Sequence, residues 1–497
     1  MIQTLKTRTL GFTALASLAV AVGAGTSLFS AQSEVDALIE VLIEEGLIPA
    51  QRADVIRQRV AEKTAPPEDA ESPPISRRFP GVQYEPTERL RDEPVKTQVR
   101  RFGVETADGT ERFRIRGRLM VDGALVGFST EDTVDDERDG QGNIARHGTI
   151  IRRARLGVLG VIANDWEYQM EVDFRDAEIR FANSYIAYLG LPGSRLAIGN
   201  FKEPFSMESS TSSRRITFIE RATPIDAYRP DRELGILYET VRPRHYLAAG
   251  VFGGDGVVRN REIHEGYSLA LRGSFAPYYG DSNWMHIGAF ANYRKNAFER
   301  LANGNKAWND VRLRSRLGTR AVDARFIGRR DLEDVQSLTR YGLEFAAGFG
   351  SSSIQAEYVK ADADLDRPDV DNVKLDGYYI QFSHYLTGEQ RNYRPESGDI
   401  GRTPVLRPFS PGAGGGPGAW EVAARFSHTD STDAFRVTNG GQKMDHWTLG
   451  LNWFPTSDII FKFNYIYLDA YSISGRGNEF EKNTSGSVYA LRAQYEF

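Results

Sequence analysis

The sequence predicts an all-β protein: a transmembrane antiparallel β-barrel of 16 strands, with 18 as the alternative, preceded by a short α-helical hairpin. Three observations predict it. From Arg112 to the C-terminus, apolar residues recur at every second position, the period of a strand. The N-terminus carries an export signal, and after it no apolar run reaches the ~18 residues of a spanning helix. The chain also closes on an aromatic-alternating strand that ends at Phe497. A chain that crosses a membrane without such helices crosses as a closed barrel.

Composition narrows the function classes. Net charge is −5 and the pI about 5.9, which argues against a general nucleic-acid binder. Mean hydropathy is −0.43, and there is no cysteine for a disulfide or a thiolate metal site. Of the 62 basic residues 11 are lysine and 51 arginine. Arginine offers a planar, permanently charged fork suited to oxyanions.

Taken in order, residues 1–31 read as a signal peptide. Lys6 and Arg8 precede an apolar and small-residue run, and cleavage falls between about Ser27 and Gln32. Residues 33–63 read as a helical hairpin. Leu38, Val41 and Leu42 form one stripe ending at Gly46, and Pro49 opens a second helix carrying Val55, Ile56 and Val60. So short a unit buries little and is expected to dock or self-associate. Residues 64–110, rich in Pro, Glu and Arg, read as a flexible or polyproline-like tether.

The barrel is expected over 111–497. "WEYQMEVDF" sets Trp166, Tyr168, Met170, Val172 and Phe174 against Glu167, Gln169, Glu171 and Asp173. "SLALRGSF", "VRLRSRL" and "VYALRAQYEF" repeat the pattern at 268–275, 311–317 and 488–497. The 386 residues from 112 onward give about 24 per strand and connection for 16 strands. Counting segments gives 17, an odd number for a closed bacterial barrel, so one segment around 311–340 is split or merged.

"RFRIRGRLMVDG" (112–123) places arginines at every second position, and a strand puts them on one face. Arg114, Arg116 and Arg118 then rise at ~6.8 Å intervals. Arg153 and Arg155 form a second column, and Arg312, Arg314 and Arg316 a third. Such columns can form the wall of an anion pathway, since guanidinium forks pair bidentately with oxyanions. They can equally brace the wall against carboxylates, and Glu167, Glu171, Asp173, Glu357 and Glu421 share the inward parity. Asp122 sits on the first arginine face, where it can orient a neighbouring arginine.

"IRGRLMVDG" (115–123), "RRARLGVLG" (152–160), "LAIGNFKEPFSMESSTSSRRITFIERA" (196–222), "GYYIQFSHYLTGEQRNY" (377–393), "GAWEVAARFSH" (418–428) and "LGLNWFP" (449–455) resemble, in order, the phosphate-selective porin O/P family. The resemblance implies a 16-stranded outer-membrane barrel, a homotrimer in lipid, that passes inorganic phosphate, pyrophosphate or other small anions without a cofactor. It also implies that the connection from Ser206 to Asp231 folds inward and narrows the pore. Lys202, Ser212, Ser213, Arg214 and Arg215 are its candidate anion contacts, since "SSTSS" supplies hydroxyl and backbone donors beside two guanidiniums. Phosphate-preferring members carry a central lysine cluster. Here Lys202 alone falls in a matching motif, a departure that bears on phosphate preference more than on anion preference.

Other chemistry has little support. The seven histidines show no HExxH or short ligand spacing, so no metal is expected. His384 and His428 each follow a serine, but adjacent strand residues face opposite sides, so neither pair makes a hydrolytic dyad. No enzyme is expected. Two alternatives to an anion-selective porin remain: a general, weakly selective diffusion porin, and a barrel with a mainly structural, envelope-anchoring role.

Overall fold

The computed structural model describes residues 97–497 except 101, 107, 129–146, 176–177, 255–263, 303–305, 323–326, 329–330, 369, 371, 413, 439 and 475–479. The signal peptide, the 33–63 hairpin and the tether as far as 96 lie outside the described residues.

One antiparallel sheet of eighteen strands contains a two-stranded N-terminal hairpin and sixteen barrel strands. The barrel strands are β1 (Arg112–Phe128), β2 (His147–Ile162), β3 (Trp166–Asp173), β4 (Arg180–Tyr188), β5 (Ser194–Lys202), β6 (Arg232–Val241), β7 (His245–Gly253), β8 (Tyr267–Phe275), β9 (Asn283–Lys295), β10 (Val335–Phe349), β11 (Ser352–Leu365), β12 (Asn372–Tyr385), β13 (Ala419–Asp430), β14 (Gly440–Thr456), β15 (Ile459–Ser474) and β16 (Phe480–Glu496). Each pairs with the next, and β16 pairs with β1, so no edge faces lipid. The sixteen-strand expectation holds.

Alternation sets the two faces of the wall. Leu119, Val121 and Leu125 of β1, Leu269 and Leu271 of β8, and Leu449 and Leu451 of β14 face outward and are exposed. Their neighbours Met120, Asp122, Ala270, Arg272, Thr448 and Asn452 point inward and are buried. Short turns such as 163–165, 242–244, 350–351 and 457–458 share one end with Phe497, which makes that end periplasmic.

Among the described residues three connections are long: 203–231, 296–334 and 386–418. The first contains α1 (Met207–Ser210), capped by the Ser206 hydroxyl, and α2 (Thr223–Tyr228), opened by Pro224. Its Ile219 and Ile225 join Leu313 and Leu317 of the second connection in an apolar core with the inward Val126, Val359, Leu375, Ile466 and Val488. That side of the lumen is therefore filled, and open space remains along β1–β6.

Two expectations are corrected here. The stretch 311–317, read as a barrel strand with an arginine column, lies in the 296–334 connection, where it forms isolated bridges, Val311 with Leu332 and Ser315 with Ile327, and no barrel pairing among the described residues. Its alternation reflects Leu313 and Leu317 packing into the loop core, since any extended segment with one buried face shows the same period. This is the surplus seventeenth segment. In addition, the end of the 64–110 tether is paired chain: Thr97–Arg100 and Gly103–Thr106 form a hairpin, and the second strand pairs with β1.

Candidate functional site

A cavity of 790 Å³ runs between β1–β7 and residues of the three long connections. Thirteen arginines and Lys202 line it, against seven carboxylates: Glu167, Glu171, Glu203, Asp231, Glu239, Glu396 and Asp399. The excess of cations is set by the inward parity of the early strands.

The first two columns meet here. Arg118 and Arg155 are paired in register across β1 and β2. Glu171 on β3 accepts from Arg116 at 2.8 Å, Arg118 at 2.7 Å and Arg155 at 2.8 Å, and Asp173 takes Arg155 at 2.7 Å. One carboxylate thus serves three guanidiniums, which orders the column while leaving it net positive. Arg114, on the same parity, lies exposed toward the periplasmic end.

Arg153 is buried and reaches the Met120 sulfur at 3.5 Å; no carboxylate stands within ion-pair distance of it among the described residues. A β-bulge opposite Met120 and Val121 inserts an extra residue in β2, so Arg152 also points inward beside Arg153. Strict alternation would have placed Arg152 in lipid.

The 203–231 connection crosses the lumen and is fixed at many points. Arg152 holds Glu220 through Nε at 2.5 Å and Nη2 at 3.1 Å. Arg492 clamps Asp122 with two 2.7 Å bonds and reaches Glu220 and the Ile219 carbonyl. Burial pushes the Glu220 carboxyl up, but Arg152, Arg492 and Arg153 outweigh that and hold it well below the usual carboxylate range. Arg221 donates to the Glu208, Ser209 and Thr211 carbonyls, and Arg425 lies 4.4 Å over the Phe218 ring. At the loop tip, Arg214 and Arg215 both pair with Glu496, and Ser213 Oγ accepts from Arg118 at 3.0 Å. Ser212 Oγ accepts a long bond from Arg214. Lys202 donates to the Ser209 carbonyl and faces no carboxylate within ion-pair distance among the described residues.

A second arm enters from the periplasmic end. Within 386–418, Ser397 and Gly398 give their carbonyls to Arg272, whose fork grips both oxygens of Glu344 at 2.8 Å. His286 bridges Glu344 and the Tyr393 hydroxyl. Gly398 sits at φ +58, where a Cβ would meet Ser274 Oγ at 2.2 Å. Arg394, paired with Asp399, thereby faces the cavity.

Residues 129–497 match the profile of the family described as phosphate-selective porin O and P. The chain belongs to that family. It is 27% identical over 429 residues to Porin O of Pseudomonas aeruginosa, a match covering 79% of this chain and 90% of that one. It is 28% identical over 397 residues to an uncharacterised protein of Caulobacter vibrioides, covering 77% and 74%. Among solved structures, the anion-selective porin from Comamonas acidovorans aligns over 78% of this chain and all of that one, with TM-score 0.45 and 13% identity. The protein is accordingly a porin of the bacterial outer membrane, in an anion-selective family, and a channel in place of an enzyme.

The porin brings Arg116, Arg118, Arg153, Arg155, Lys202, Ser212, Ser213 and Arg214 to one cavity. Arg215 turns to Glu496 beside a separate, smaller space that it shares with Arg391 and Lys462. Arg312, Arg314 and Arg316 do not reach the cavity: Arg312 is exposed and pairs with Asp331. Arg221 and Arg229, basic residues of the Ser206–Asp231 connection, also line it, and sequence reasoning passed over Arg152, Arg195, Arg232 and Arg320, which do so too. Arg195 shares the inward parity of Ala197 and could have been found from that. The loop arginines offered no periodic signal.

Proposed function

We propose that this porin passes small oxyanions, phosphate or pyrophosphate foremost, along the cation-lined side of its lumen, with Arg116, Arg118, Arg153, Arg155 and Lys202 as the pathway. The observation that carries the reading is the pair of unneutralised inward cations, Arg153 and Lys202, in a cavity where cations outnumber carboxylates two to one. Guanidiniums already oriented by Glu171 and Asp173 keep spare N–H donors for a bidentate oxyanion. A file of weak sites lets ions enter and still leave. The loop tip, with Arg214, Ser212 and Ser213, forms the constriction, and the protein works as a homotrimer in outer-membrane lipid.

Glu171 favours a second reading, a weakly selective diffusion pore, because it shares its charge among three arginines. Substitution decides between them. In planar bilayers Arg153→Ala and Lys202→Ala should each weaken phosphate block of chloride current by about tenfold under the first reading, ~1.4 kcal/mol. Under the second, neither changes the block.

A further inference from the structure

The stagger of the barrel strands leaves β1 longer than β16 at the periplasmic end. β16 pairs with Arg118–Phe128, and Phe497 adds one more step through reciprocal 3.1 Å backbone bonds with Gly117. Arg112–Arg116 extend below the residues that pair with β16 and Phe497. Their edge would present unpaired N–H and C=O groups, a costly and adhesive feature in any sheet.

The N-terminal hairpin covers that edge. Gly103, Val104 and Glu105 pair with Arg114, Phe113 and Arg112, and the Ile115 N–H donates to the Phe102 carbonyl at 2.8 Å. The hairpin strand thus takes the sheet position that β16 vacates. Phe102 adopts φ +58, an expensive conformation for an aromatic residue, and its ring lies 5.1 Å from that of Phe497. Gly117 accommodates the meeting point, since a Cβ there would sit 2.3 Å from the Phe497 ring. The connecting turn is braced by Asp108, which accepts from Thr106 Oγ1 and from the Thr110 amide and hydroxyl. The Thr110 carbonyl in turn accepts from Asn164 N–H in the next periplasmic turn.

We infer that the Thr97–Thr106 hairpin is a seam latch: it takes the place beside β1 next to Phe497, seals the β1 edge over Arg112–Ile115 and is pinned to the barrel by the Phe102–Phe497 ring pair. Strain at Phe102 persists because the ring pair and the strand pairing together over-determine it.

The absence of cysteine makes a clean test possible in the full-length protein. Glu105 and Arg112 face each other directly, within disulfide reach for opposed strand residues. Glu105→Cys with Arg112→Cys should cross-link spontaneously on air oxidation, while Glu105→Cys with Ile115→Cys should not. Phe102→Ala should accelerate amide hydrogen exchange at Ile115 and Phe497 at least tenfold and lower the temperature at which the folded band unfolds on gels. Its conductance should stay within twofold of wild type. Failure of the facing pair to cross-link, or unchanged exchange at Ile115 and Phe497 in Phe102→Ala, would overturn the inference.

Discussion

Arg152 and Glu220, 68 residues apart in sequence, form a buried two-point ion pair that ties the lumen-crossing loop to the wall of the barrel. A bulge delivers the guanidinium, and the loop delivers the carboxylate. Removing Arg152 leaves the buried Glu220 carboxylate with the single 3.1 Å contact from Arg492, at a cost below the roughly 3–5 kcal/mol of a wholly unpaired buried charge. Arg152→Ala should therefore loosen the loop, raising single-channel conductance and open-channel noise. Arg152→Lys should rescue only part of this, because a point charge cannot grip both oxygens. Bilayer recordings of the two variants check it.

Glu171 restrains three arginines, so Glu171→Gln removes a lumen charge without removing a cation. Anion preference should rise, moving the reversal potential further to the anion side. A shift toward zero would mean that the carboxylate matters chiefly for holding the column in place.

Glu220 yields a pH prediction. Its carboxyl titrates well below the ordinary range, so its contribution to fixing the loop is fully present above the unfolded value of ~4.3 and is lost as pH falls through the depressed folded value. Conductance should stay flat from pH 8 to about 4 and change only in stronger acid. Glu220→Gln should show the loosened behaviour at pH 7 already.

The displaced third column can be tested by charge reversal. Arg116→Glu should lower anion preference sharply, because Arg116 lines the cavity. Arg314→Glu, in the connection outside it, should leave the reversal potential close to wild type.

The barrel was legible because lipid on one side and polar lumen on the other impose a period of two, which 112–123 and 488–497 display plainly. The same logic placed Arg116, Arg118, Arg153 and Arg155 inward. It failed at Arg152, where one inserted residue changes the face, and at Arg312–Arg316, where a loop core imitates a lipid face. The arm 386–418 was not legible, because its hold on the wall runs through backbone carbonyls at Ser397 and Gly398, which any residue type could supply. Nor could composition say which arginines are paired. That depends on register, which brings Glu171 among Arg116, Arg118 and Arg155 and leaves Arg153 against Met120.

The most direct measurement is the zero-current potential of the wild-type channel in a KCl gradient, repeated with added phosphate. A potential on the anion side, with chloride current blocked by sub-millimolar phosphate, is the predicted result. A potential near zero with no block would contradict an oxyanion-selective path.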